Sequence, residues 1–257
     1  MNTTPGQSPV SGITGIVGPN GAGKTHYLRE LAQDPRSALG QAAGDMHYFG
    51  RNPKQHFRTI SAGWRELDVK AAADWIGFSA TTPWRKLSLG QRQKVINAGV
   101  VFSGKSTLLL DEPFNGLDSA HRKQLTSTLS ELSLENPNMS ILVTSQHASD
   151  LEGLIERLHT VHQHEVSNPL ELDTARLQHP VITGEQSCIA EFTQGYPVLQ
   201  KSNLGETTRA VLGKALTAEA TQAAQETGME ISYLSHGELI ELLSEHATSA
   251  QHQGENS

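Results

Sequence analysis

The chain carries a single cysteine, Cys188, in 257 residues, so no internal disulfide can staple it. That usage suits a reducing compartment, and Cys188 reads as a small buried hydrophobe. Aromatic residues make up only 5% of the chain. All three tryptophans, Trp64, Trp75 and Trp84, fall in one stretch, where they are expected to form local core or, alternatively, a partner-binding surface. No apolar run approaches the roughly 18 residues that a membrane-spanning helix needs. The most apolar segments, Leu108 to Leu110 and Ile141 to Val143, are short and read as buried strands. The opening residues are polar, with Pro5, Gly6 and Pro9, and no apolar leader is expected there. Positive charge is in deficit: 20 Lys and Arg face 27 Asp and Glu, a formal charge of -7. That balance gives no electrostatic reason to expect nucleic acid as a partner. Any nucleotide site must rest on local groups: backbone amides, one lysine and a metal ion.

Such local groups are present. Gly18-Pro19-Asn20-Gly21-Ala22-Gly23-Lys24-Thr25 fits the phosphate-loop pattern in full, with His26 directly after it. Its glycines let consecutive amides point into one concavity, and a following helix adds its positive end. Lys24 supplies a point charge to the outer phosphates and Thr25 a hydroxyl to magnesium. The context agrees: Gly12 to Val17 reads as a strand and Thr25 to Gln33 as a helix. Further on, TLLLDEP places Asp111 at the carboxyl end of a buried parallel strand, where ligands bind in open α/β sheets. Asp111 is placed to hold magnesium, and Glu112 to polarise an attacking water. Ser88, in LSLGQ, reads as the N-cap of a helix starting near Leu89. The same serine, with Gly90, Gln91 and a helix N-terminus, also makes an anion site. One molecule cannot easily bring two such anion sites onto one nucleotide, whereas a second copy facing it can.

Over roughly residues 12 to 166 the chain resembles the ATP-binding subunit of ABC transporters. GPNGAGKT is similar to that family's Walker A loop, LSLGQ to its signature, and LLLDEP to Walker B with the catalytic glutamate. GLD, with Asp118, resembles the D-loop, and His147 the switch histidine at the γ-phosphate. The resemblance implies ATP and Mg²⁺ as ligands and a head-to-tail dimer, homomeric or heteromeric. It also implies an integral membrane permease as partner, at the cytoplasmic face of the membrane. The LSLG form of the signature and a small C-terminal extension suggest an exporter. The alternative is a soluble ABC-type ATPase that acts as a switch outside transport.

The expected fold class is α/β: a P-loop NTPase with a parallel sheet core, a reduced helical subdomain and a small C-terminal α/β domain. The ATPase domain is expected over 1–166, with its helical subdomain at about 64–100. The C-terminal domain follows over 167–246, its elements in the order of a split βαββαβ unit. A disordered tail is expected over 247–257. Two departures from the family stand out: no aromatic precedes Gly18 to stack on adenine, and ISAGW at Ile60 to Trp64 holds no glutamine where the Q-loop is expected. An unusual coupling surface, involving Trp64 or Trp75, follows as an expectation.

Overall fold

The computed structural model describes residues 9–254. The chain divides into two units: one holds the residues up to Pro169 and those from Leu243 on, the other Leu170–Leu242.

In the first unit, β1 (Gly12–Val17) leads through the phosphate loop into α1 (Lys24–Leu31). A turn at Asp34, whose carboxylate binds Arg36, delivers the chain to β2 (Ser37–Gly40). Next come α2 (Pro53–Ile60), α3 (Val69–Trp75) and α4 (Leu89–Val101). β3 (Thr107–Leu110), α5 (Ser119–Glu135), β4 (Ser140–Thr144) and the short α6 (Ala148–Leu151) follow. β5 (Arg157–His162) and β6 (Glu165–Val166) form a hairpin. The strand order is β2-β3-β4-β1-β5-β6, parallel up to the closing hairpin. The carboxyl ends of β1 and β3 therefore lie at the same edge, which brings Lys24 and Asp111 together.

The strands read as expected because each side of the sheet is covered. Leu108, Leu109 and Leu110 are fully buried, as are Ile141 and Val143. Ile16, Leu28, Leu109, Leu142 and Val161 form one cluster against α1. No strand is legible in advance at β2, because Ser37-Ala38-Leu39-Gly40 has neither β-branched residues nor alternation. It pairs with β3 all the same, being small enough to lie under α4: a Cβ on Gly40 would meet Val100 at 2.8 Å. α2 starts at an Asn52 cap followed by Pro53 and buries Phe57. Phe57, Ala72, Ile76, Val95 and Ala98 then form a helical core, with Trp75 and Trp84 packed on it. Those two tryptophans are local core, and the helical part of the unit begins soon after β2 rather than at residue 64. α6 is a single turn.

The second unit opens with β7 (Leu170–Glu171) and α7 (Leu172–Gln178). It continues as β8 (Pro180–Glu185), α8 (Gln186–Phe192), β9 (Val198–Leu204), β10 (Thr207–Leu212), α9 (Ala218–Glu226) and β11 (Glu230–Tyr233). Strand order β11-β8-β10-β9, antiparallel throughout, completes the split βαββαβ arrangement. Ile182, Ile189, Ala210, Leu212, Ala224 and Met229 make its core, with Cys188 packed at the margin. α10 (His236–Gly254) runs on through residues expected to form a disordered tail; residues 255–257 of that tail lie outside the described residues.

Candidate functional site

The phosphate loop is shaped by glycines in conformations that side chains resist. Gly18, Gly21 and Gly23 have φ of 153°, 79° and 110°. A Cβ on Gly18 would lie 2.3 Å from the Val161 carbonyl oxygen, and one on Gly23 2.8 Å from the His164 ring. The β5–β6 turn thus backs the loop, and the His164 N–H donates to Ala22 O at 2.8 Å. Inside the loop, the Lys24 ammonium donates to Gly18 O (2.7 Å) and Pro19 O (3.1 Å). Burial lowers the Lys24 pKa, and the nearby Glu112 and Asp111 carboxylates oppose that shift. His26 is exposed, 3.3 Å from Glu30, with its ring edge-on to His164.

Three side chains meet at the end of β3, bringing four oxygens together. Thr25 Oγ1 donates to Asp111 Oδ2 at 2.7 Å, and Thr144 Oγ1 donates to Asp111 Oδ1 at 2.8 Å. Thr144 Oγ1 also accepts the Glu112 N–H at 2.8 Å. Hard, neutral and anionic oxygens in one place fit magnesium. Glu112 adopts φ 51°, unusual for a residue with a side chain, and a 3.2 Å bond from Asn115 N–H to its carbonyl closes the following turn. Burial pushes the Glu112 pKa up, with Asp111 adding to the rise; Lys24 and hydrogen bonds from Gln146 oppose it.

Two glutamines join the residues that the sequence singles out. Gln146, one residue before the expected switch histidine, is the neighbour that hydrogen-bonds Glu112. His147 occupies the cap position of α6, exposed, its N–H donating to Ser145 Oγ at 3.1 Å. A glutamine stands outside Ile60 to Trp64: Gln41 directly follows β2, the strand beside β3, at the edge that carries Asp111. With its amide oriented by its partners, Gln41 Oε1 accepts from Arg29 Nε and Nη2 at 3.0 and 2.6 Å. Ile60 and Trp64 instead line a groove of 320 Å³ with Leu39, Met46, His56 and Val100.

Ser88 caps α4 as the sequence suggests. Its hydroxyl accepts from Gln91 N–H at 3.1 Å, and Gln91 Oε1 accepts from Ser88 N–H at 2.9 Å. Gly90 packs on Gly116 so closely that a Cβ on it would lie 2.1 Å from the Gly116 carbonyl oxygen. Asp118 caps α5, accepting from His121 N–H at 2.9 Å, and that bond is the main cause of its lowered pKa. Signature and GLD loop therefore form one ridge through backbone contact.

Known proteins resemble this chain in sequence and in fold. The profile of the family described as ABC transporter matches residues 9–115. The cytochrome c biogenesis ATP-binding export protein CcmA of Nitrosospira multiformis is 31% identical over 57% of this chain and 84% of its own length. The sulfate/thiosulfate import ATP-binding protein CysA of Mycobacterium bovis is 27% identical over 64% of this chain and 56% of its own. Against the first two curated relatives it matches, the chain spans only 54% and 59% of their length. A solved structure described as the ATP binding subunit of an ABC transporter superposes with a TM-score of 0.55 at 18% identity, covering 65% of this chain and 82% of that one. That likeness speaks for the fold, that of an ABC-type P-loop ATPase. The family profile and the CcmA relative carry the assignment further: the chain belongs to the family of ABC transporter ATP-binding proteins.

Proposed function

We propose that this chain hydrolyses ATP to power an ABC transporter in the export direction. The observation that carries the proposal is the set Lys24, Thr25, Asp111 and Glu112 gathered at one sheet edge, with Thr25 and Asp111 hydrogen-bonded to each other. In this reading the Gly18–Thr25 amides cradle the phosphates and Lys24 neutralises the outer ones. Thr25 and Asp111 hold Mg²⁺, which would supply charge neutralisation at the β- and γ-phosphates. Glu112 polarises the attacking water. Gln146 hydrogen-bonds Glu112 and steadies its carboxylate, His147 meets the γ-phosphate as the resemblance implies, and Gln41 supplies the amide sought at Ile60 to Trp64. Ser88 and Gly90 of a second copy, homomeric or heteromeric, complete the nucleotide site, with Asp118 on the same ridge.

The partner is an integral membrane permease at the cytoplasmic face, and the groove holding Trp64 is its docking place. Trp75 does not share in it, since its indole N–H donates to Thr128 Oγ1 at 3.0 Å on α5. Export is supported by the Leu89 form of the signature, by the presence of the second unit and by the CcmA relative. Glu112→Gln tests the chemistry: hydrolysis should fall more than about 100-fold while ATP binding and an ATP-trapped dimer persist. An unchanged rate would exclude Glu112 as the group that polarises the water.

A further inference from the structure

Two amides of α4 are fully buried and joined in line. Ala43 N–H donates to Gln93 Oε1 at 2.8 Å, Gln93 Nε2 donates to Asn97 Oδ1 at 3.1 Å, and Asn97 Nδ2 donates to Pro113 O at 2.8 Å. Gln93 and Asn97 are both 0% exposed. The polarity of the chain is set at its two ends, by an N–H that can only donate and a carbonyl that can only accept. Turning either amide over would face donor to donor. The start of the chain lies two residues after Gln41, and its end lies one residue after Glu112.

We infer that Asn97 is a positioning residue for Glu112, setting the peptide that follows it, and that Gln93 fixes Asn97 in the donating orientation. Glu112 stands in a left-handed backbone conformation that nothing in its own side chain favours. It persists because its surroundings hold it from both sides. Thr144 Oγ1 takes its N–H, and Asn97 takes the carbonyl of Pro113, the first residue inside the turn that Glu112 opens. Without the Asn97 donor, the Pro113 carbonyl would be buried and unpaired, and the turn would rotate to relieve it. The carboxylate would swing with it, away from the water it must polarise. The relay also gives the segment after Gln41 a direct hold on Glu112 through the signature helix. α4 carries Ile96 and Val100 on the groove proposed for the permease, so the same helix faces both partner and base.

The inference rests on Glu112 polarising the attacking water, and its test separates the two. In the full-length chain, Asn97→Leu removes the donor with the same number and branching of heavy atoms, and Gln93→Met frees Asn97 to turn over. Displacement on the order of 1 Å should lower kcat about 10- to 100-fold for Asn97→Leu and less for Gln93→Met. Affinity for a fluorescent ATP analogue should stay within about twofold, because the phosphate loop is untouched. Wild-type kcat in both variants overturns the inference. So does loss of nucleotide affinity alongside turnover, which would make the relay a support of the fold alone. Glu112→Gln is run in parallel: full activity there removes the role of Glu112 itself, whereas an inactive Glu112→Gln with unaffected Asn97 and Gln93 variants removes only the relay.

Discussion

Replacing Thr144 by valine removes one hydroxyl and keeps almost the same branched shape. Thr144 is 0% exposed, and its single oxygen serves Asp111 Oδ1 and the Glu112 N–H, each at 2.8 Å. A hydrogen bond to a charged carboxylate contributes about 1.5–3 kcal/mol, and an orphaned buried N–H costs about 1–3 kcal/mol. The two losses share one atom and do not add in full, so about 2–4 kcal/mol is expected. For a chain of this size each kcal/mol moves Tm by about 2–4 °C, which gives a drop of roughly 5–15 °C. Scanning calorimetry reads that drop, and an ATPase assay at a temperature where the variant is still folded reads the chemistry. Turnover should fall as well, because Asp111 and Glu112 lose their common brace. Thr144→Ser restores the oxygen and should recover both. A Tm within about 2 °C of wild type for the valine variant would refute the brace.

Two other sites give measurable outcomes. His56 is buried against Phe49 and Trp84, and burial, aided by His47, pushes its pKa down to about 4 from an ordinary 6.5. The folded state therefore binds this proton later than the unfolded chain does. Its contribution to stability is full above pH 6.5 and is lost as pH falls towards 4, at a cost of about 3 kcal/mol. An NMR titration of the His56 ring with a midpoint above about 6 would contradict this placement. Gly18→Ala puts a Cβ 2.3 Å from the Val161 carbonyl oxygen at a φ of 153°. It should cost about 1–3 kcal/mol in a thermal melt and weaken nucleotide binding, and a variant unchanged in both would refute the backing role of the β5–β6 turn.

What the sequence shows of the site is what the chemistry forces into the sequence. Phosphate amides need glycines at fixed spacing, so Gly18 to Thr25 could be read directly. A carboxylate at the end of a buried strand needs an apolar run before it, so Asp111 and Glu112 could be read too. Thr144 is hidden because a β-branched residue at the end of Ile141-Leu142-Val143 looks like more strand. Gln41 is hidden because β2 is built of small residues, so nothing marks the strand that it follows. Gln146 is hidden because an exposed glutamine after a strand carries no signal, and only the path of the chain after β4 brings it to Glu112. In the second unit, turn residues and periodicity give the order of elements, because each strand and helix there is bounded by polar or glycine-containing breaks. The end of α10 has no such marker: 247–254 reads as tail, yet continues as helix.

The meeting of Gly90 with Gly116 has a mechanical consequence. Where side chains touch, rotamers can absorb a displacement before it travels further. Between these two glycines backbone meets backbone, with 3.2 Å between the Gly90 nitrogen and the position of a Cβ on Gly116. No rotamer lies between the two to take up slack. A displacement of α4 therefore bears directly on the backbone two residues before Asp118, and the two elements that would address a second copy are expected to move together. Closure at such a joint has the character of a latch, with one threshold for both contacts rather than a graded approach by each.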